Sequence, residues 1–344
     1  MSSTATQRQQ PNPAERVMQV TTGFLGTVAL NAAVEINIPD LLAGGPRPVS
    51  ELARATATNE DALYRTLRAV ASLGIFTESE PRKFANTPES ELLRAGAPGS
   101  LRDMVRWFGD PFHFRIFAEY MHSVKTGKPC FDKVMGKPIF EYFPSDPRES
   151  EMFNNAMTSF SAAVIPAVLE AYDFSGIRLL VDVAGGHGQI LFSVLKEYPQ
   201  MRGILSDLPH VLEGARPRLR ELGLESRCRL ETCDFFKSVP AGGDAYIMKH
   251  IIHDWDDDRA LTILRNIHQA AGGAQARVIL LEGVISPGNE SHFGKFLDLE
   301  MLALPSGRER TEDEFRALFD RAGFRLTRVV QTPTPMCVIE AEKK

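Results

Sequence analysis

The segment LLVDVAGGHG, Leu179–Gly188, constrains the fold of this chain more than any other. An apolar run opens into a glycine-rich turn. The next apolar run ends in an acid, Asp207 of LSDLPH, nineteen residues after Gly188. In an α/β sheet this pattern holds a nucleoside: glycines let the backbone approach the ligand, and the carboxylate accepts hydrogen bonds from ribose hydroxyls. The spacing also narrows the nucleoside. Read as G-x-G-x-x-G from Gly186, the second glycine is Gly188, but the sixth position is Leu191. A dinucleotide site needs a third glycine there for close helix–strand packing beside a pyrophosphate. A ligand with ribose and adenine but no phosphate fits better, and S-adenosyl-L-methionine is the common one.

Around this segment strand and helix alternate. Expected strands are Leu179–Val183, Arg202–Ser206, Arg229–Thr232, Ala245–Lys249 and Arg277–Glu282, with helices between them. Ala260, Ile263, Leu264, Ile267 and Ala271 mark one apolar helical face. The last two strands, Phe324–Gln331 and Met336–Glu342, have no helix between them and must run antiparallel. The expected fold class is α/β: a doubly wound, Rossmann-like sheet with an antiparallel final strand.

The chain has 344 residues, enough for two domains. The first expected domain, residues 15–100, is mainly helical. Val17–Leu42 has helical apolar spacing and is followed by a break at Gly44–Pro48. Ser50 is expected to cap a short helix, Asn59–Leu73 to form a second, and Gly74 to end it. Ile75–Thr77 and Lys83–Asn86 follow as two short strands. This is a winged-helix pattern, yet Glu60 and Asp61 offset Arg65 and Arg68, and Glu78 and Glu80 offset Arg82 and Lys83. Phosphate binding requires an excess of positive charge, and the net charge of −5 points the same way, so no nucleic-acid partner is expected. The apolar helix Val17–Ile36 suits a homodimer surface instead.

The second expected domain, 101–344, is catalytic: a helical substrate-pocket segment at 101–175, then the sheet at 176–344. Trp107, Phe108, Phe112, Phe114, Phe117, Tyr120, Phe131, Phe140, Phe143, Phe153, Met157 and Phe160 crowd the pocket segment. Most of this is expected as core, and part as the wall of a site for a flat ring. Residues 1–14, MSSTATQRQQPNPA, read as a frayed tail without a signal-peptide core. No run of apolar residues approaches the roughly 20 needed to span a bilayer. Four scattered cysteines, Cys130, Cys228, Cys233 and Cys337, suit reduced thiols in a cytoplasm.

Ligands of open α/β sheets bind at the carboxyl ends of the strands. That rule selects Gly185, Gly186 and Gly188, then Asp207. Asp234 and Phe235 follow the third strand, an acid for an adenine amino group and a ring to cover its face. Lys249, His250, His253, Asp254 and Trp255 follow the fourth, Glu282 ends the fifth, and Glu309 lies in the loop Ser306–Thr311. His253 is the candidate base for an attacking hydroxyl, because methyl transfer from a sulfonium requires alignment and proton removal. Glu282 and Glu309 are the acids that could fix its other nitrogen. The opposing possibility is a helix-start residue among Asp254, Asp256, Asp257 and Asp258. A metal site of His250, His253 and Asp256 has loose spacing and no further ligand nearby, so no metal is expected.

Seven segments, LYRTLRAVASLGIF, FNNAM, VDVAGGHG, SDLPHV, CDFF-SVP, KHIIHDWDD and GRERTEDEF, occur in this order. In them the chain resembles the S-adenosylmethionine-dependent O-methyltransferases of the caffeic acid and hydroxyindole type, which include bacterial enzymes of aromatic natural-product pathways. The resemblance implies that Gly185 meets the methionine part of the cofactor. It gives Asp207 and Leu208 the ribose, Asp234 and Phe235 the adenine, and Lys249 a share in fixing the cofactor. His253 then matches the general base, flanked by Glu282 and Glu309. Phe153, Met157 and Met301 fall where the family lines its acceptor pocket. The N-terminal domain would serve dimerisation.

Ala184 and Cys233 stand where the family commonly has glycine, and the turn at Ala184 is expected to survive. Glu300, before Met301, and the short Leu304–Ser306 loop make the pocket differ from plant relatives, so the acceptor stays open. Two other functions are weighed against transfer to a small aromatic or polyketide-like hydroxyl. One is a family member recruited to a non-methylating reaction such as hydroxylation; the intact His253, Glu282 and Glu309 count against it. The other is a winged-helix ligand-sensing regulator, against which the neutral wing counts.

Overall fold

The computed structural model describes residues 12–272 and 275–344. They pack as two compact units: the chain to Phe114 joined by Met152–Phe160, and Arg115–Glu151 joined by Ser161–Lys344.

The first unit begins with the helix Pro13–Glu35. Asn12 caps it reciprocally with Glu15, at 2.9 and 3.0 Å, so the expected tail gives way to ordered helix by residue 12. The rest of that tail, residues 1–11, lies outside the described residues. The helix does not run on to Leu42. Asn37 turns left-handed at φ 60°, and a separate short helix, Ile38–Leu41, follows. Ser50 is not a cap either: Val49–Thr56 starts one residue earlier, after Pro48, whose φ of −60° and extended ψ set the entry. Asn59 does cap the next helix, Glu60–Ser72, by accepting from Ala62 N at 2.9 Å, and Gly74 ends it at φ 85°. Strands β1 (Arg47–Pro48), β2 (Phe76–Glu80) and β3 (Lys83–Asn86) form a small antiparallel sheet, with β3 central. Leu52, Leu67, Val70, Phe76 and Phe84 make the core beneath them.

Arg82 pairs with Glu60 at 2.8 Å and covers the Tyr64 ring, and Lys83 pairs with Glu80 at 2.9 Å. The charges of the helix and hairpin thus neutralise one another. On the helix Pro13–Glu35, Val17, Met18, Val20, Phe24, Leu25 and Val28 are exposed. Contrary to the expectation from unbroken apolar runs, this helix and Pro147–Ala171 reach the length and mean hydropathy of a membrane span, 1.4 and 1.2. Thr21, Thr22, Gly23 and Gly26 interrupt the apolar run of the first helix without making it polar.

In the second unit, β4 (Leu179–Val183), β5 (Arg202–Asp207), β6 (Cys228–Thr232), β7 (Ala245–Lys249) and β8 (Arg277–Glu282) run parallel. β9 (Phe324–Gln331) and β10 (Cys337–Lys343) complete the sheet in the order β6-β5-β4-β7-β8-β10-β9. β10 inserts antiparallel between β8 and β9. The doubly wound sheet and its antiparallel ending are as expected. Order reverses between β4 and β7, so the carboxyl ends of these two strands flank a crevice. Both faces are covered; Val181, Tyr246, Ile263, Leu280 and Phe319 are among the buried side chains of the main core. All four cysteines are buried and free.

Candidate functional site

The turn after β4 is shaped by what its side chains would meet. A Cβ on Gly185 would overlap the carboxyl of Asp182 and a methyl of Leu205. One on Gly188 would stand 2.5 Å from the Phe192 ring. Ala184, Gly186 and Gly188 are left-handed, at φ 55°, 59° and 78°. The turn therefore survives the alanine as expected, in a conformation that costs an L-residue about 1–2 kcal/mol. Asp207, at the end of β5, ties the turn down: its two oxygens accept Gly186 N at 2.8 Å and Leu208 N at 2.7 Å. Burial holds its pKa above the usual range against those two N–H groups. Leu208 leaves an apolar side chain 47% exposed beside it.

Asp182 is the residue that sequence reasoning missed. It is buried in β4, and neither carboxyl oxygen has a hydrogen-bond partner. Burial raises its pKa to about 7, with Asp207 adding to the rise and Lys249 opposing it. A lone acid inside an apolar strand was the available signal. Lys249, ending β7, has its pKa lowered by burial against the pull of Glu282, Asp182 and Asp254.

After β6, Asp234 pairs with Lys237 at 2.9 Å and accepts Phe236 N at 3.1 Å. Asn266 holds this turn by donating to the Phe235 carbonyl at 2.8 Å. The rings of Phe235 and Phe236 meet edge to face, 4.8 Å apart, and Trp255 packs on Phe236 at the same distance. Arg259 lies over Trp255. Cys233 is buried, with its thiol 3.2 Å from the Ser238 carbonyl, so it fits where glycine is common.

His253 lies in the short turn Ile252–Asp254 and is buried. Its Nδ1 is 2.7 Å from Glu309 and 3.7 Å from Glu282; its Nε2 is 3.5 Å from Asp254. Burial opposes protonation of the ring, but Glu282, Glu309 and Asp254 outweigh it and raise the pKa to about 10. Burial lifts Glu282 to about 7 and Asp254 to about 6. Glu282 also accepts the N–H groups of Ile251 and Ile252, at 3.1 and 2.9 Å, so the acid ending β8 holds the loop that carries the imidazole.

Asp256 is not part of a metal cluster; it caps the helix Asp257–Ala270 by accepting Arg259 N at 2.8 Å. His250, His253 and Glu282 do place donor atoms within 4.8 Å of one another. Their two rings are stacked, however, with centroids 4.4 Å and planes 28° apart. A metal lies in the plane of each imidazole at about 2 Å, a condition that stacked rings do not share.

Phe153 and Met157, both half-buried, belong to the first unit, where Phe153 meets Trp107 edge to face at 5.4 Å. Met301 belongs to the second unit and is buried on the helix Phe293–Ala303, beside buried Glu300. Trp107, Phe112, Phe131 and Phe143 are core, but Phe108, Phe114, Phe117, Tyr120 and Phe160 are only half-buried and Phe140 is exposed, so less of this aromatic stretch is core than expected.

Residues 117–325 match the O-methyltransferase domain, and residues 18–96 the O-methyltransferase dimerisation domain. The chain belongs to the O-methyltransferase family. It is 41% identical to a phenazine O-methyltransferase of Lysobacter antibioticus over 325 residues, 94% of this chain and 95% of that protein. It is 33% identical to an 8-amino-8-demethylriboflavin N,N-dimethyltransferase of Streptomyces davaonensis, across 97% of both chains. A methyltransferase of calicheamicin biosynthesis, solved in an S-adenosylhomocysteine-bound form, superposes with a TM-score of 0.88 at 32% identity, covering 96% of this chain and 98% of that one. The cofactor of this methyltransferase is S-adenosyl-L-methionine. The crevice fits such a group: the glycine turn keeps side chains out of the way, and Asp182 holds a buried carboxyl with no hydrogen-bond partner beneath it.

Proposed function

We propose that this methyltransferase moves a methyl group to a hydroxyl of a small aromatic or polyketide-like acceptor, with His253 as general base. The observation that carries the reading is the 2.7 Å bond between His253 Nδ1 and Glu309. A proton held on Nδ1 leaves Nε2 to take the acceptor's proton and fixes the ring while it does so. The raised pKa sets a condition on that role: at about 10 the ligand-free ring holds a proton at neutral pH, so His253 must release it before it can take the acceptor's. Glu282 steadies the imidazolium and holds the loop.

S-adenosyl-L-methionine, when bound, supplies the electrophilic methyl group and departs as S-adenosylhomocysteine. In our reading Gly185 and its turn take the methionine end, Asp207 and Leu208 the ribose, and Asp234 and Phe235 the adenine. Lys249 helps to fix the cofactor from the end of β7. Met301, on the helix Phe293–Ala303 of the second unit, meets the acceptor. The second unit, Arg115–Glu151 with Ser161–Lys344, carries the catalytic residues. Residues 15–100 form a homodimer through the exposed apolar face of Pro13–Glu35; sedimentation as a monomer at micromolar concentration would refute this.

A second reading, transfer to an aromatic amine, is supported by the N,N-dimethyltransferase relative at 33% identity. A neutral amine attacks before it loses a proton and needs no base at that stage. Matched phenol and aniline acceptors, offered with labelled methyl donor, test the choice. Labelling of phenols is expected; labelling of anilines alone would overturn the hydroxyl reading.

A further inference from the structure

The loop that carries His253 is held by a second buried side chain besides Glu282. Arg310 is 1% exposed, and each of its five N–H donors has an acceptor. Nε and Nη2 donate to Asp257 at 3.1 and 2.8 Å. Nη1 donates to the carbonyls of Ile252 and Arg308, at 3.1 and 3.3 Å, and Nη2 to that of Trp255 at 2.9 Å. The carbonyls of Ile252 and Trp255 bracket His253 and Asp254. Between them, Arg308 N donates to the His253 carbonyl at 2.8 Å. Gly307 permits the approach, because a Cβ there would overlap the His253 carbonyl oxygen and the Asp254 backbone. Glu309, which holds the imidazole, is the residue before Arg310. Its own N–H is fixed by Asp298 at 2.8 Å.

One short segment therefore sets both the backbone beneath His253 and the carboxylate bound to its ring. We propose that Arg310 is a positioning residue, holding the His253 loop in register with Glu309 so that Nε2 is presented at a fixed point. This rests on the reading of His253 as base. The fork geometry is essential to it. Lysine offers three donors from a single atom and cannot reach two carbonyls, a third at residue 308 and a carboxylate together.

The test uses Arg310→Lys and Arg310→Met in the full chain, with Arg316→Ala as control. Arg316→Ala removes a half-exposed cation whose partner is Glu312. Three readouts are taken: the low-field Nδ1–H resonance of His253 in the ligand-free protein, kcat with acceptor KM, and the pH profile of kcat. In Arg310→Lys the resonance is expected to shift or broaden. Turnover is expected to fall roughly 10- to 100-fold at nearly constant KM, as for a base displaced by about 1 Å. The acid limb of kcat should move to lower pH, because an imidazole parted from Glu309 loses part of what raises its pKa. Arg316→Ala should leave all three unchanged.

An unshifted resonance with an unshifted pH profile in folded Arg310→Lys would overturn the proposal, whatever the loss in turnover. If Arg310→Met fails to fold, Arg310→Lys alone decides. His253→Ala separates the two claims. Full turnover in that variant would sink the base assignment, while the resonance in Arg310→Lys would still report whether Arg310 positions the ring.

Discussion

Three buried acids of the same sheet are treated in two opposite ways. Glu340, on β10, is surrounded by donors. Thr327 reaches it at 2.8 Å, Arg328 at 3.2 and 3.1 Å, and the Tyr172 hydroxyl also donates to it. Burial works against its ionisation, but these donors outweigh burial and hold its pKa below the usual range. Glu282 and Asp182, at the carboxyl ends of β8 and β4, are as buried and far less satisfied. One oxygen of Glu282 and both of Asp182 have no hydrogen-bond partner, and both groups are raised to about 7. The antiparallel edge thus uses a carboxylate as a staple. The crevice keeps carboxylates that a ligand or a proton must complete, at a cost in stability.

The contrast makes its largest claim at His253. His253→Ala is expected to lower kcat at least about a hundredfold, while the affinity for S-adenosylhomocysteine, measured by calorimetry, stays nearly constant. In the proposed role the change removes the base; it also takes the ring away from Glu309 and Glu282, so the comparison is made on folded protein. A collapse of cofactor affinity would mean that the crevice acids and His253 are structural after all, like Glu340.

At the other end of the comparison, Glu340→Ala should hardly alter turnover in folded protein. It leaves the buried Tyr172 hydroxyl and the Arg328 guanidinium without their acceptor. A loss of about 2–3 kcal/mol in urea titration is expected, discounted for the half-exposed arginine. Lost activity without lost stability would erase the distinction between the two regions.

The sequence made one of these regions far more readable than the other. Strand periodicity, the glycine turn and the rule that ligands gather at strand carboxyl ends located Asp207, Glu282 and His253, because each lies at a boundary between an apolar run and a polar loop. Glu340 sits inside a strand, and its partners come from β9 and from Tyr172, so nothing local marks it. Asp182 was hidden likewise by the apolar residues around it. Arg310 was hidden for another reason: its partners are mostly backbone carbonyls, which have no signature in sequence. Local propensity also misjudged Ser50 and the break at Asn37, where proline geometry and a left-handed asparagine decide the outcome.

Asp182 offers a sharper and smaller test. Its folded pKa of about 7 stands above the unfolded value near 3.9, so the cost of burying its charge is absent below the unfolded value. That cost grows as pH rises and is complete above about 7. Asp182→Asn should therefore stabilise the ligand-free protein more at pH 8 than at pH 5.5, by about 1–2 kcal/mol. Equal stabilisation at both pH values would show that the carboxyl is already ionised in the folded state across that range, with no raised pKa. The same substitution is expected to weaken cofactor affinity, which would identify the stability cost with a binding function.

Backbone strain divides the sheet along the same line. Ala184 and His250 are non-glycine residues at positive φ, 55° and 52°, and both lie at the carboxyl ends of strands flanking the crevice. No residue of β9 or β10 has a positive φ. Ala184→Gly relieves the left-handed penalty of about 1–2 kcal/mol, but glycine also gains freedom in the unfolded chain. The expected net gain is roughly 0.5–1 kcal/mol, seen as a small rise in Tm with cofactor affinity preserved. A fall in Tm would mean that the Ala184 methyl packs well enough to offset its strain. The crevice would then differ from the edge in its unsatisfied carboxylates alone.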